Sequence, residues 1–99
     1  MALSINEGTR QEAMDYLSRH AGFPIGYCNY KFLYIDYLSN RVECTLNCYF
    51  SEEYKKANPD KCYHYIVGFP CKMDTTKDVR DSIYPALEEE LIRLGGEKE

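Results

Sequence analysis

Apolar residues recur at helical spacing in two segments of the chain, one near each end. In the first segment every fourth residue from Ala13 to Ala21 is apolar, and Thr9 and Glu12 before it have the spacing of a capping box. A glycine and then a proline follow the segment, and together they prevent the helix from continuing. These signals predict an amphipathic helix over residues 10–21.

The C-terminal segment carries an unbroken apolar stripe at steps of four residues and a final step of three, formed by Val79, Ile83, Leu87, Leu91 and Leu94. Pro85 lies inside this stripe. Because the stripe keeps its phase across the proline, the pattern predicts one kinked helix over 76–94 rather than two helices. Gly95 and Gly96 are expected to end it, and residues 97–99 are expected to fray.

Between the helices, apolar and polar residues alternate as they do in β-strands. A two-residue turn at Ser39 and Asn40 predicts a hairpin over 29–50, since Asn tolerates the positive φ that such turns require. In this register apolar residues oppose each other in three pairs: Tyr37 with Val42, Ile35 with Cys44, and Leu33 with Leu46. These six residues are expected to form the core face, extended by Cys48 and Phe50.

Two further segments complete the pattern. Residues 51–60 are too polar for a strand, and Ser51 is suited to cap one helical turn over 52–57. A third strand is predicted over 62–69, where it stops at a proline. The order α-β-β-β-α therefore predicts one α+β domain over residues 1–99, in which a three-stranded antiparallel sheet packs against the helices.

Composition and charge narrow the classes of protein to which this chain can belong. Sixteen acidic and 12 basic residues give a net charge of −4, so a phosphate backbone is an unfavourable partner and nucleic-acid binding is not expected. No apolar run reaches the ~18 residues of a membrane span, so no membrane partner is expected. The first residues also lack the basic and apolar regions of a secretion signal, which favours a protein that is not secreted.

The cysteines raise the question of disulfides and metals; they are Cys28, Cys44, Cys48, Cys62 and Cys71. Their odd number and the missing secretion signal favour free thiols in a reducing compartment. Cys44 and Cys48 on one strand would be ~13 Å apart, which is too far for two ligands of one zinc ion. Cys62 and His64 share a strand face, but two ligands do not make a site. No metal and no cofactor is therefore expected.

No group of residues has the pattern of a familiar catalytic site. Cys62 with His64 is the one local grouping of a thiol and a base, and no helix N-terminus or glycine-rich loop accompanies it in the sequence. The sequence contains no phosphate-binding loop and no paired-histidine zinc motif. The chain is therefore interpreted as a non-enzymatic protein.

Tyrosine is the strongest anomaly of the composition, with ten Tyr and no Trp in 99 residues. In the predicted register, Tyr30, Phe32 and Tyr34 lie on the face opposite the core, with Tyr49 directly across from Tyr30. A solvated sheet face is normally polar, and tyrosine is common in protein interfaces, so these four are candidate partner-binding residues. If one of the two predicted helices covers this face and buries the rings, the pattern is explained equally well. Base stacking with nucleic acid is a third interpretation, which the acidic balance disfavours.

The layout of the C-terminal two thirds resembles a known group of proteins. The hairpin Tyr-Ile-Asp-Tyr-Leu-Ser-Asn-Arg-Val-Glu-Cys-Thr-Leu-Asn-Cys-Tyr-Phe, residues 34–50, runs into the polar insert Ser-Glu-Glu-Tyr-Lys-Lys-Ala-Asn-Pro-Asp, and a strand and a terminal helix follow. Over about residues 34–94 this resembles the small single-domain proteins of tailed bacteriophages, both virion parts and host-takeover factors. The resemblance implies a binding or assembly protein, located in the host cytoplasm or in the virion, with no catalytic residues.

Two functions follow from this interpretation. The first is a protein–protein interaction module, most simply a tail or baseplate assembly protein, that associates with itself or with other virion proteins. It would act through the aromatic face and through Glu52, Glu53 and Tyr54 in the polar insert. The alternative is a small phage-encoded inhibitor that binds a host complex such as a defence nuclease. Glu52, Glu53, Asp60 and the acidic run 88–90 would then mimic phosphate, although neighbouring lysines dilute their charge.

Overall fold

A four-stranded antiparallel sheet and three helices make up residues 2–97, the part of the chain that the computed structural model describes. The strands, which lie side by side in chain order, are β1 (Leu3–Ser4), β2 (Tyr27–Asp36), β3 (Arg41–Tyr49) and β4 (Tyr63–Pro70). The helices are α1 (Gln11–Ala21), α2 (Glu52–Ala57) and α3 (Val79–Glu97). The predicted α+β class is confirmed, but the prediction of a three-stranded sheet is wrong, because β1 adds a fourth strand.

Strand β1 is too short to show any alternation of apolar and polar residues in the sequence. Its two residues pair with the beginning of β2. The hydroxyl of Thr9 accepts a hydrogen bond from the Ser4 N–H at 3.0 Å, and the Thr9 N–H donates to the Ser4 carbonyl at 2.9 Å. Thr9 is therefore engaged with β1, and the predicted capping box with Glu12 does not form. Helix α1 begins after Arg10, which makes no side-chain capping bond.

Helices α1 and α3 pack together on one face of the sheet and form the core with it. The predicted helical stripes supply the buried side chains, among them Ala13, Leu17, Ile83, Leu87 and Leu91. At the start of α1, Arg10 forms ion pairs with Glu88 and Glu89 of α3. The prediction that Gly22 ends α1 is confirmed, since Gly22 has the left-handed φ of 83°. Within residues 2–97, no helix is long and apolar enough to cross a lipid bilayer.

Helix α3 differs from its prediction at both ends. It starts at Val79 rather than at 76, because the Asp74 carboxylate holds a separate turn before it by accepting the Thr76 N–H at 3.0 Å. It continues through Pro85, as predicted, but it also continues through Gly95, where an end was predicted. A Cβ at Gly95 would lie 3.5 Å from the Tyr16 Cβ, so this glycine allows close packing on α1. Of the predicted frayed residues, 98 and 99 lie outside the described residues.

The turn of the hairpin is two residues longer than predicted. Asp36 pairs with Arg41, and the Asp36 carboxylate accepts hydrogen bonds from the Leu38 and Ser39 N–H groups at 3.0 and 3.2 Å. These bonds stabilise the wider turn and lower the pKa of Asp36. The predicted pairs are therefore wrong, and Ile35 faces Val42 while Leu33 faces Cys44. Since the shift is by two residues, the faces of the strands are retained.

Two residues of the predicted core face lie in solvent instead. Tyr37 belongs to the wider turn and is 60% exposed, and Phe50 follows the end of β3 and is 56% exposed. The predicted core positions on β3 are confirmed, since Val42, Cys44, Leu46 and Cys48 are all buried.

A β-bulge in β2 changes which side chains face the core. The pairing with β3 shifts between Tyr30 and Phe32, so that Lys31 has no partner residue of its own. Cys28 and Tyr30 before the bulge therefore share the core face with Leu33 and Ile35 after it, and these four all pack in or against the core. Phe32 and Tyr34 consequently point away from the core.

Gly26, just before β2, passes so close to the chain after β3 that no side chain fits there. Its N–H donates to the Tyr49 carbonyl at 3.0 Å, and an ideal Cβ would lie 2.5 Å from the Phe50 carbonyl oxygen. Gly26→Ala is therefore expected to lower the free energy of unfolding by at least ~2 kcal/mol, measured by urea denaturation. Gly96→Ala is the matched control, because nothing lies within 4 Å of that position in α3. It is expected to leave stability unchanged or to raise it by up to ~1 kcal/mol. Equal effects of the two substitutions would contradict this close approach.

Candidate functional site

The sheet face turned away from α1 and α3 carries large side chains in solvent. Phe32 and Tyr34 are each 65% exposed, and Ile66 is 76% exposed. Phe32, Thr45 and Ile66 form one row across β2, β3 and β4, and Tyr34 lies next to this row on β2. We refer to Phe32, Tyr34, Thr45 and Ile66 as the open face. A shallow hollow of about 190 Å³ runs between their side chains.

The placement of Phe32 and Tyr34 on the face opposite the core agrees with their predicted position. Their partners differ from the predicted ones, since Phe32 faces Thr45 and Tyr34 faces Glu43. Ile66 was not anticipated as a site residue. The sequence does carry a signal for it, because Tyr65, Val67 and Phe69 alternate along the strand as core residues do. These three are buried, and Ile66, between the first two, therefore points outward.

Tyr30 does not belong to this face, contrary to prediction. The bulge turns its ring to the core side, where the ring centroid lies 5.7 Å from that of Tyr84. The Tyr30 N–H donates to the Tyr84 hydroxyl at 3.3 Å, and burial raises the pKa of Tyr84 to about 12. Tyr30 is therefore a structural residue that joins β2 to α3.

Tyr49 is also not exposed, contrary to prediction. It opposes Tyr27 rather than Tyr30, it is only 3% exposed, and its hydroxyl donates to the Pro59 carbonyl at 3.0 Å. Burial and the neighbouring Cys62 thiol raise the pKa of Tyr49. The insert after β3 covers this end of the sheet, whereas α1 and α3 pack on the other face, so the prediction that one of these two helices covers this face and buries its rings is wrong.

Helix α2 forms over the predicted residues, with the Ser51 hydroxyl accepting the Tyr54 N–H at 3.0 Å. Glu52 and Glu53 in its first turn are exposed, and Tyr54 is 37% exposed. The Lys55 ammonium lies 5.1 Å from the Tyr27 ring centroid, which places α2 over the covered end of the sheet. The predicted acidic residues are therefore separate from the open face. A polar row of Asn29, Asn47 and His64 lies between the covered end of the sheet and the open face.

Opposite charges flank the open face. The Lys31 ammonium lies 5.3 Å from the Phe32 ring centroid, a cation–π contact that the bulge makes possible. Glu43 lies at the other end, directly opposite Tyr34. A positive group and a negative group thus lie at the two ends of one apolar surface.

Among residues 2–97, no three His, Cys, Asp or Glu side chains are grouped to hold a metal ion. All five cysteines are free thiols, four of them buried and Cys62 partly exposed. Burial raises the pKa of the Cys44 thiol to about 12 and also raises the pKa values of Cys28 and Cys71. The structure does bring Cys62 and His64 together, with the thiol sulfur 3.3 Å from the His64 Nε2.

The acidic run of α3 is engaged in ion pairs within the molecule. Glu88 lies 2.7 Å from Arg10, which also pairs with Glu89, and Glu90 lies 2.7 Å from Arg93. The hydrogen bond from Arg93 lowers the pKa of Glu90. Much of the negative charge at 88–90 is therefore balanced by neighbouring guanidinium groups.

Alanine substitutions at the predicted aromatic residues are expected to change the free energy of unfolding by two very different amounts. Tyr49→Ala should lower the free energy of unfolding by ~3 kcal/mol or more, because it removes a buried ring and its hydrogen bond. Tyr34→Ala should change it by less than ~0.5 kcal/mol, because that ring is in solvent. Urea midpoints measured at low protein concentration test both values. Similar losses for the two variants would show that the face of Tyr34 is covered.

Comparisons with protein-family models, with curated proteins and with solved structures found no match to this chain. No family assignment follows, and no functional residue can be carried over from a relative. The function has to be inferred from the side chains of the open face and of the covered end.

Proposed function

We propose that this protein is a non-enzymatic protein–protein interaction module that associates with a second copy of itself through the open face. The observation that supports this proposal is the exposure of Phe32, Tyr34 and Ile66, at 65%, 65% and 76%, on neighbouring strands of one sheet. Scattered apolar residues are normal on a protein surface, but a contiguous group of this kind is typical of an interaction site.

The strands hold the open face in a form that is suited to binding. Phe32 and Ile66 are fixed on either side of Thr45 by backbone pairing across three strands. Side chains that are already positioned lose little conformational entropy when a partner covers them. Aromatic residues in such positions account for much of the binding energy of protein interfaces. The three side chains would form the centre of an interface, and the charged groups around them its rim.

The charges at the ends of the open face favour a second copy as the partner. In a two-fold symmetric dimer whose axis is perpendicular to the line from Lys31 to Glu43, each surface meets the same surface in the opposite direction. Lys31 of one copy would then lie next to Glu43 of the other, and the contact would occur twice. The apolar rows would cover each other between these two pairs. A surface with its opposite charges at opposite ends is therefore complementary to itself.

A role in the assembly of a phage tail or baseplate is the biological setting that we propose for this association. It is supported by the size of the chain and by the order of its elements over residues 34–94. The alternative function, an inhibitor that binds a host complex through phosphate mimicry, has less support. Its acidic run at 88–90 is paired with Arg10 and Arg93, and Glu52 and Glu53 remain as its exposed acids.

Sedimentation equilibrium of the purified chain tests the proposal. The wild type is expected to form dimers, and Phe32→Ala combined with Tyr34→Ala removes four rings from each dimer, so it should weaken association ~1,000-fold if each ring contributes ~1 kcal/mol. Leu38→Ala is the matched control, because Leu38 is 98% exposed but lies in the hairpin turn. It should leave association unchanged.

Charge reversal tests the two-fold arrangement. Lys31→Glu alone should weaken the dimer, because two carboxylates would then face each other. Lys31→Glu combined with Glu43→Lys should restore it. A wild type that stays monomeric at the highest soluble concentration would overturn self-association. A dimer that is lost with Lys31→Glu and not restored by the double reversal would overturn the two-fold arrangement.

A further inference from the structure

The partly exposed thiol of Cys62 lies beside a histidine that can take its proton. Cys62 is the residue before β4, and His64 lies two residues later on the same side of the chain. The Cys62 sulfur and the His64 Nε2 are 3.3 Å apart, within hydrogen-bond distance for sulfur. A base at this distance is the arrangement by which proteins generate a thiolate nucleophile.

Cys62 also lines a hollow in the surface. Its volume is about 510 Å³, within the range of ~300–1,000 Å³ that is typical of small-molecule sites. It is lined by Phe23, Phe50 and Tyr54, together with Lys61 and Cys62. Three aromatic residues, one lysine and one cysteine therefore line the same space. This composition suits a ligand that carries an aromatic or apolar part and a negative charge.

The other cysteines are not available for chemistry in the folded protein. Cys28, Cys44, Cys48 and Cys71 are all buried. Cys62 is the remaining thiol of the five, and within residues 2–97 it is the one thiol in hydrogen-bond contact with an imidazole nitrogen. Any thiol reaction of the folded chain is thus directed to one position.

We propose that Cys62, with His64 as its base, is a thiol–disulfide exchange site for small anionic disulfides that bind in this hollow. Cys62 and the hollow lie beyond the polar row that contains His64, and none of the residues of the site belongs to the open face, so the proposal is independent of self-association. One equivalent of disulfide reacts per chain, and the product is a mixed disulfide on Cys62.

The reaction is balanced in bonds, protons and electrons. His64 Nε2 accepts the thiol proton, and the Cys62 sulfur attacks one sulfur of the incoming disulfide. The sulfur–sulfur bond of that molecule breaks while the new bond to Cys62 forms. The proton held by His64 passes to the leaving thiolate or, where that thiolate is a weak base, to solvent. One half of the small disulfide leaves as a reduced thiol or thiolate and the other half stays in the mixed disulfide, so the Cys62 sulfur is oxidised and the incoming disulfide is the oxidant.

Reaction of the folded protein with dithiobis(nitrobenzoate), a dianionic aromatic disulfide, tests this proposal by the absorbance of the released thiolate. One equivalent should be released rapidly, and the remaining four only after denaturation. The rapid step should be at least ~10-fold faster than reaction of the denatured chain under the same conditions, because the base is in place. Mass spectrometry should locate the adduct on Cys62.

Three variants separate the parts of the site. Cys62→Ser should abolish the rapid step, and His64→Asn should slow it by ~10-fold or more. Lys61→Gln should slow reaction with the dianionic probe more than reaction with dithiodipyridine, which is uncharged. Circular dichroism and the urea midpoint confirm that each variant is folded.

Several results would overturn the proposal. The site is wrong if the rapid step persists in Cys62→Ser, or if several thiols react together in the folded wild type. If His64→Asn reacts as fast as the wild type, His64 is not the base for Cys62. Equal effects of Lys61→Gln on the two probes would remove the preference for an anionic ligand.

Discussion

The bulge at Lys31 is the constraint on which the arrangement of the sheet depends. Side chains of a regular strand alternate between its two faces, so a β2 that buries Cys28 and Tyr30 would also turn Phe32 and Tyr34 inward and leave Leu33 and Ile35 in solvent. One unpaired residue reverses the alternation. Both halves of β2 can then contribute apolar side chains to the same core. The exposure of Phe32 and Tyr34 follows from this change, and so does the position of the Lys31 ammonium near the Phe32 ring.

The tyrosine content, which first suggests a binding surface, is mostly explained by the interior. Buried tyrosines require partners for their hydroxyl groups, and this structure provides them. The Tyr16 and Tyr65 hydroxyls lie 2.9 Å apart, and the Tyr63 hydroxyl lies 2.7 Å from His20 Nδ1. These contacts connect α1 to β4, as the Tyr84 hydroxyl connects α3 to β2. Abundance of tyrosine therefore does not identify the candidate interface. What identifies the candidate interface is exposure, because Tyr34 is exposed whereas Tyr49 is buried.

Local patterns in the sequence predict every strand except β1, the three helices and most of the core, but not the details that determine the site. The helical stripes and the alternation in β3 identify buried residues correctly, and a register error of two residues leaves the faces unchanged. No glycine or other local signal at Lys31 predicts the bulge. The bulge lets both halves of β2 pack against one core, and this depends on contacts that are distant in sequence. The wider turn depends on hydrogen bonds to the Asp36 carboxylate, and β1 on pairing with a distant strand. Cys62 and His64 were recognisable as neighbours in sequence, but the aromatic hollow beside them is formed by three separate segments.

The same bulge bears on how a second copy would be bound. A sheet can associate through the backbone of an edge strand or through the side chains of a face, and β2 beyond its short pairing with β1 is such an edge. A bulge interrupts the regular spacing of N–H and C=O groups that an added strand would need. At the neighbouring position, the Tyr84 hydroxyl already accepts the Tyr30 N–H. Backbone pairing along β2 is thus disfavoured at the point where Phe32 emerges on the face. If the chain associates, the irregularity that exposes the aromatic rings would favour contact through them over backbone pairing along β2, and we therefore propose a face-to-face contact.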